Sequence, residues 1–501
     1  MKQDWIVNRE EELRFLKEKF ASKKAEFIVM WGRRRVGKTF VLTHFSNQFP
    51  AIYYFCVRSS FREQINMLSE TLADFFQDEL LRIHPLKNFE EVFLYLSRKK
   101  EKRFALIIDE FPYLIQADRA IPSIFQRGWD QYFSKNNKIM LILNGSSISM
   151  MEDQVLSAAS PLYGRRTGQW KLQPMTVGQL KGFFPRSSLI DLIRIYTVIG
   201  GIPFYASLFN NNISLAENIK TKILKKGEVL YEEVEFLLRE ELREPRNYFP
   251  ILSAIASGDS KFGTISSKTG MDRSNLSKYL SVLKDLQLVE KEVPITETMP
   301  HKSKRGLYFL SDPFANFWFH FVRPNLRFLE AGKSDFVWKE KISPRLEQFI
   351  SLNCEKPIIQ IIEGLNLQGA FPFQLVEIGR YWDSSTEIDL IGFDSGRENA
   401  LIGEIKWTNK QVEYRVLNAL IAKAESLEKL KECKKTFLIV SRSEFQKSLL
   451  KMKKENVILL DLRQTRKLTA MPADLSDIAL AKSEALAKVG WRLTGKQPLL
   501  N

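Results

Sequence analysis

The chain's 501 residues exceed what one hydrophobic core holds, so three or four domains are expected, and 44% apolar with 27% charged residues is ordinary for a globular protein. Its 75 Lys and Arg against 59 Asp and Glu leave a formal charge of +16, which favours an anionic partner, nucleic acid first. Three Cys far apart in sequence and four His exclude a disulfide framework and a Cys/His zinc site; with no apolar run of membrane-spanning length and an N-terminus too charged for a signal peptide, the expectation is a cytoplasmic chain with no membrane partner.

Short apolar runs at 27–31, 51–57, 104–109, 139–144 and 168–172 alternate with helical segments and predict a parallel α/β sheet whose strands are buried on both faces. The turn after the first run reads Gly32-Arg33-Arg34-Arg35-Val36-Gly37-Lys38-Thr39, the G-x-x-x-x-G-K-[ST] pattern set between an apolar strand and an amphipathic helix. Its glycines let backbone N–H groups turn inward around phosphates, and the helix N-terminus adds its dipole. Lys38 would reach the β- and γ-phosphates, and Thr39 would place its hydroxyl on magnesium, so ATP and Mg2+ are the expected cofactors. The third run ends in Asp109-Glu110: Asp109 suits magnesium through its water shell, and Glu110 suits orienting or deprotonating a water. The strand 51–57 lies between these two elements in the chain, the arrangement of the additional-strand class. The fourth run ends in Asn144-Gly145-Ser146-Ser147, where Asn144, or else Ser146, would sense the γ-phosphate; a plain Gly-Ser turn is the alternative. Beyond Pro161-Leu162-Tyr163-Gly164, Arg165 and Arg166 would stabilise transition-state charge across a subunit or domain boundary, or else form a surface basic pair.

Residues 189–243 read as helical, broken by Gly200-Gly201-Ile202-Pro203. From 248 to 325, two short helices, a third with apolar Leu276, Leu280, Leu283 and Leu286, and two strands read as a winged helix. Arg273, Ser274, Asn275, Ser277 and Lys278 would face outward on its recognition helix, and His301-Lys302-Ser303-Lys304-Arg305 at the tip of a wing spanning 288–310 suit phosphate contacts. DNA contact and an internal interaction module are the two readings of this domain. Residues 324–341 read as a basic linker, and 342–462 as a second α/β unit with strands near 373–382, 387–393, 400–407 and 436–440. Side chains two apart on a strand share a face, so Glu404 and Lys406 project together. A hairpin would bring Asp389 to Glu404 around one divalent ion, with Lys406 steadying the nucleophile or developing charge and Glu347 of the preceding helix completing the cluster. An edge strand with solvated charges is the plain alternative. The Ala- and Lys-rich stretch 471–501 reads as helical, with no role assigned.

In combination, Asn8-Arg9-Glu10 with Glu12-Leu13, GRRRVGKT, LIIDE, NGSS, PLYGRR and GGIPFY resemble the archaeal-type ATPase family, a group of the AAA+-related STAND NTPases, over roughly residues 1–325. The resemblance implies that Gly201-Ile202-Pro203 sits in a lid near the nucleotide, with Pro203 as a contact. It also implies a switch between a compact ADP form and an opened ATP form. The second α/β unit is similar to the PD-(D/E)xK nuclease fold, which implies Asp389, Glu404 and Lys406 as its site. The expected fold is therefore an α/β P-loop NTPase core (1–188) with a helical lid (189–246), a winged helix-turn-helix (247–325), a restriction-endonuclease-like α/β domain (342–465) and a tail (471–501). The expected function is an ATP-hydrolysing switch that binds DNA, alone, as a homo-oligomer or with a partner protein, and carries a nuclease-like effector. A regulatory or scaffolding ATPase whose last domains bind without cutting is the alternative.

Overall fold

The computed structural model describes residues 8–99, 102–242, 244–452 and 455–464, and the backbone of Arg492 and Leu493. The chain forms two compact units, residues 1–174 with 202–204, and residues 175–201 with 205–501.

The first unit is built on five parallel strands: β1 (Glu26–Trp31), β2 (Ala51–Phe55), β3 (Phe104–Asp109), β4 (Ile139–Gly145) and β5 (Gly168–Lys171). Every residue of β1, β3 and β4 is buried, which is why these runs are apolar without alternation. The order is β2-β3-β4-β1-β5. The strand standing between the P-loop strand and the Asp-Glu strand is thus β4, while β2, which lies between them in the chain, is the sheet edge. Alternate side chains feed two layers: Phe27, Val29 and Trp31 on one face, Ile28 and Met30 on the other with Val41, Leu42 and Phe45 from the helix Lys38–Gln48.

In the second unit the helices Phe249–Ala256, Phe262–Thr269 and Arg273–Asp285 precede an antiparallel pair, β6 (Val289–Glu292) and β7 (Leu307–Leu310). Leu276, Leu280 and Leu283 are buried, Leu286 partly so, and Arg273, Ser274, Asn275, Ser277 and Lys278 are exposed, as the winged-helix pattern predicts. Asp272 caps the third helix through the N–H groups of Ser274 and Asn275 at 2.9 and 3.0 Å. The stretch expected as a basic linker is instead folded: Leu326–Glu330, Ser334–Phe336 and Val337–Ile342 are helical turns that bury Leu329, Val337 and Ile342.

Helices Ser343–Asn353 and Glu355–Leu367 lead into a mixed sheet. Its strands are β8 (Glu377–Trp382), β9 (Glu387–Phe393), β10 (Asn399–Lys406), β11 (Lys434–Ser441), β12 (Val457–Asp461) and β13 (Arg492–Leu493), in the order β13-β12-β11-β10-β9-β8. β8, β9 and β10 are antiparallel neighbours. β10, β11 and β12 are parallel, with the helix Tyr414–Ser426 crossing from β10 to β11. The helix expected within 471–501 lies outside the described residues, except that Arg492 and Leu493 pair with β12. No described helix is long and apolar enough to cross a membrane.

Candidate active site

The loop after β1 turns sharply at Gly32, where φ is 154° and a Cβ would lie 2.5 Å from the Leu172 carbonyl oxygen. Gly37, at φ 99°, opens the helix Lys38–Gln48 with no side-chain cap. The helix N-terminus therefore offers backbone N–H groups to an anion. Lys38 is buried, its ammonium donating to the carbonyls of Gly32 at 2.8 Å and Arg33 at 2.9 Å, so a positive charge lies inside the loop. Helix-start amides plus a buried ammonium fit a polyphosphate. Arg34 donates to the Tyr113 hydroxyl at 3.1 Å. Arg35 stacks 4.3 Å from the Phe204 ring, and Phe204 follows Pro203 in the short segment that groups with this unit.

Asp109 is fully buried at the end of β3. Its Oδ2 accepts from Thr39 Oγ1 at 3.0 Å and from the Tyr53 hydroxyl, and its Oδ1 from the Asn144 amide and the Glu110 N–H at 2.8 Å. The two expected magnesium residues, Thr39 and Asp109, thus share a hydrogen bond. Glu110 takes φ 53°, and its carboxylate accepts from the Ser146 N–H at 3.2 Å and from the Ser146 hydroxyl. Asn144 and Ser146 therefore each meet one of the two acids. Burial, then the charge of Asp109, pushes the Tyr53 phenol well above its usual range, which keeps it a neutral donor.

Two residues of this centre were not singled out as site residues by the sequence. Tyr53 carried no signal beyond its place in the apolar run 51–57. Arg9 stood in the Asn8-Arg9-Glu10 motif. It is buried and donates to Glu12 at 2.9 Å, to the Val36 carbonyl at 2.9 Å and to the Gln173 carbonyl at 3.0 Å. Arg165 pairs with Asp130 at 3.2 Å, and Arg166 donates to the Leu156 carbonyl at 3.2 Å.

In the C-terminal sheet β9 and β10 form the expected hairpin, with Gly403 opposite Leu390. Asp389 Oδ2 accepts from the Ile405 N–H at 2.8 Å, and Glu404 is held by Lys406 at 2.6 Å and by Lys423 at 3.1 Å. Asp389 is pushed up to about 6, by burial first and then by the charge of Glu404, against the Ile405 N–H and the two lysines. Glu347 does not complete this cluster: it is paired with Arg194 and Arg442, each at 2.6 Å. The helical carboxylate that feels Asp389 is Glu355, pushed up to about 7 by burial, opposed by Arg380 and reinforced by Asp389. Neither Glu355 nor Lys423 was expected from sequence. Among the described residues no three or more His, Cys, Asp or Glu side chains group as a metal site, so the hairpin offers two carboxylates, Asp389 and Glu404.

A glycine-bordered loop opening a helix, an Asp-Glu pair where β3 ends and polar residues where an interposed β4 ends define a P-loop ATPase. Residues 6–209 match the family described as "ATPase domain predominantly from Archaea". Residues 250–291 match "Bacterial regulatory protein, arsR family", a helix-turn-helix model, and residues 318–417 match "Archaea bacterial proteins of unknown function". An uncharacterized protein of Methanocaldococcus jannaschii is 35% identical over 442 residues, covering 87% of this chain and 95% of that protein. An uncharacterized ATP-binding protein of the same organism is 54% identical over 40 residues, 8% of this chain and 68% of that one. The chain belongs to this family of archaeal-type ATPases. Among solved structures, it is similar to the Walker-type ATPase of Pyrococcus abyssi (22% identity, TM-score 0.47, 63% of this chain and 96% of that one). It is also similar to the ORC2 protein of Aeropyrum pernix (14% identity, TM-score 0.41, 66% and 97%).

Proposed function

We propose that the protein is an ATP-hydrolysing switch that contacts DNA through its winged helix and carries a nuclease-like effector site on the β9–β10 hairpin. The observation that carries the ATPase reading is the joining of Thr39, Asp109, Glu110, Asn144 and Ser146 beside an uncapped phosphate loop. Magnesium-bound ATP would supply the transferable phosphoryl group and its charge. Lys38 and the loop amides bind its phosphates; Thr39 and Asp109 hold the metal's shell; Glu110 orients a water and takes its proton. Asn144 or Ser146 senses the γ-phosphate, Arg165 or Arg166 acts on a neighbouring copy, and Pro203 lies against the nucleotide. Calorimetry with Mg-ATP tests this: Lys38→Ala should abolish the binding heat, and heat retained in that variant would end the reading.

The DNA reading rests on the exposed face of Arg273, Ser274, Asn275, Ser277 and Lys278 and on the chain's +16 charge. For the hairpin, Asp389 and Glu404 would hold a divalent ion and Lys406 the developing charge, so Asp389→Ala should abolish metal-dependent DNA cleavage and leave ATP turnover intact. One observation favours a second reading, in which this domain binds a partner without cutting: Glu404 is already paired with both Lys406 and Lys423. Absence of cleavage of DNA or RNA with magnesium and manganese would decide for it.

A further inference from the structure

β8 is the edge of the C-terminal sheet, and an uncovered edge invites pairing with another chain. Here the segment leaving β6 covers it. The Ile295 N–H donates to the Arg380 carbonyl of β8 at 2.9 Å, and the Ile295 side chain packs against the core of the C-terminal sheet. A Cβ at Gly379 would lie 3.2 Å from that of Ile295, so the β8 backbone approaches closely. Thr296 is buried, and its carbonyl accepts from Lys429 at 2.5 Å; the Trp382 indole donates to the Arg305 carbonyl at 3.0 Å. The wing is thus fastened along β8 rather than standing free.

The fastening also has a charged part. Glu290 pairs with Lys356, and Glu292 lies 3.7 Å from Lys356 and 3.5 Å from Arg380. Both cations also lie within 5.8 Å of the centre of the Phe309 ring of β7. On its other side Arg380 binds Glu355 at 3.0 Å and Glu387 at 2.7 Å. Glu387 shares a strand face with Asp389, two residues on. Two cations beside the Asp389 hairpin are therefore occupied by two carboxylates of the wing.

We propose that the wing is a releasable latch, with Glu290 and Glu292 holding Lys356 and Arg380 in the place a nucleic-acid phosphate backbone takes when the latch opens. This rests on the nucleic-acid reading above and adds where on the C-terminal domain the polyanion lies and what it displaces. The contacts are ionic and partly exposed, so salt and polyanions loosen them while the Ile295 packing guides re-closure.

The test uses full-length protein. In Glu290→Gln with Glu292→Gln, exchange of the Ile295 amide should accelerate about tenfold, and rising salt should accelerate it in the native chain. With Arg273→Ala and Lys278→Ala added to remove the recognition helix, the same pair of substitutions should tighten binding of a short DNA duplex about five- to tenfold, the range set by two ion pairs of ordinary strength. Lys356→Ala should cancel that gain, and the charge-matched pair Glu428→Gln with Glu432→Gln should not produce it. Unchanged exchange at Ile295, a gain that survives Lys356→Ala, or an equal gain in the charge-matched control overturns the latch. Failure of the winged-helix reading looks different: Arg273→Ala with Lys278→Ala would leave duplex affinity of the otherwise native chain unchanged.

Discussion

Replacing Arg9 with Met removes a buried cation that serves three acceptors at once: Glu12, the Val36 carbonyl and the Gln173 carbonyl. The Glu12 side chain is 10% exposed, so its charge would be left in the protein interior without this partner. Breaking such a pair from one side costs about 3–5 kcal/mol. Native-state exchange at the β1 amides reads the opening of this unit alone, and protection there should fall about 10²- to 10⁴-fold. Adding Glu12→Leu removes the stranded charge and should recover about half of the loss, leaving two carbonyls without this donor at about 0.5–1.5 kcal/mol each. Nucleotide affinity should behave differently. The Val36–Gly37 peptide is trans, so its C=O and N–H point in opposite directions. Anchoring the Val36 oxygen on Arg9 aims the Gly37 N–H away from Arg9 and fixes the peptide plane that leads into the helix N-terminus. The single and double variants should therefore both lose about tenfold in Mg-ADP affinity by calorimetry, roughly the worth of one hydrogen bond to a charged ligand. A single variant within about 1 kcal/mol of native protection, or a double variant with native ADP affinity, refutes this reasoning.

Glu110→Gln should keep ATP affinity and lower single-turnover hydrolysis about 10²- to 10⁴-fold, since the amide keeps the shape and loses the base; undiminished turnover would assign the proton to another group. Asp389 sits near 6 in the folded chain against about 3.9 unfolded, so its contribution to stability is complete below about pH 4 and is lost as pH rises through about 6. Asp389→Asn should flatten that slope and, above about pH 7, make the β9–β10 amides about 1–3 kcal/mol better protected than in the native chain, a gain absent at pH 4. Asp272→Ala deletes both cap bonds of the recognition helix and should cost about 1 kcal/mol, visible as faster exchange confined to Arg273–Asp285.

β1, β3 and β4 were legible because residues buried on two faces leave uniform apolar runs, while β2 and β5, expected to be buried likewise, are edge strands with partly exposed residues; the cradle was legible because its glycines and lysine occur at a spacing few other structures need. Which strand stands beside which was not legible. A run such as 51–57 carries no record of its neighbour, and β4, later in the chain, takes the place beside β1. The segment 324–341 was misread as a linker because its basic residues dilute the spacing of Leu329, Val337 and Ile342, which tertiary burial alone makes decisive. Glu347 and Glu355 lie on successive helices with equal claims by composition. The choice of Glu355 follows from packing: Arg194 and Arg442 converge on the first, while Arg380 holds the second within the field of Asp389. Lys423 reaches Glu404 from a crossover helix, a contact that no spacing along the chain encodes.

The left-handed backbone of Glu110 has a physical reason in the same terms. Successive residues of a strand point to opposite faces, so Asp109 and Glu110 on a continued β3 could not both meet polar groups of β4. Asn144, in β4, and Ser146, just past its end, are the donors that the two acids meet. At φ 53° Glu110 leaves the strand, and its carboxylate joins Ser146 while Asp109 stays with Asn144. The chain stays alongside β4 through the Phe111 N–H, which donates to the Asn144 carbonyl at 2.8 Å. A non-glycine residue there costs on the order of 1–3 kcal/mol, and the paired hydrogen bonds to Ser146 offset it. Glycine would remove the strain together with the carboxylate. The strain is therefore the consequence of placing two adjacent acids toward one side of the sheet, where Asp109 meets Asn144 and Glu110 meets Ser146.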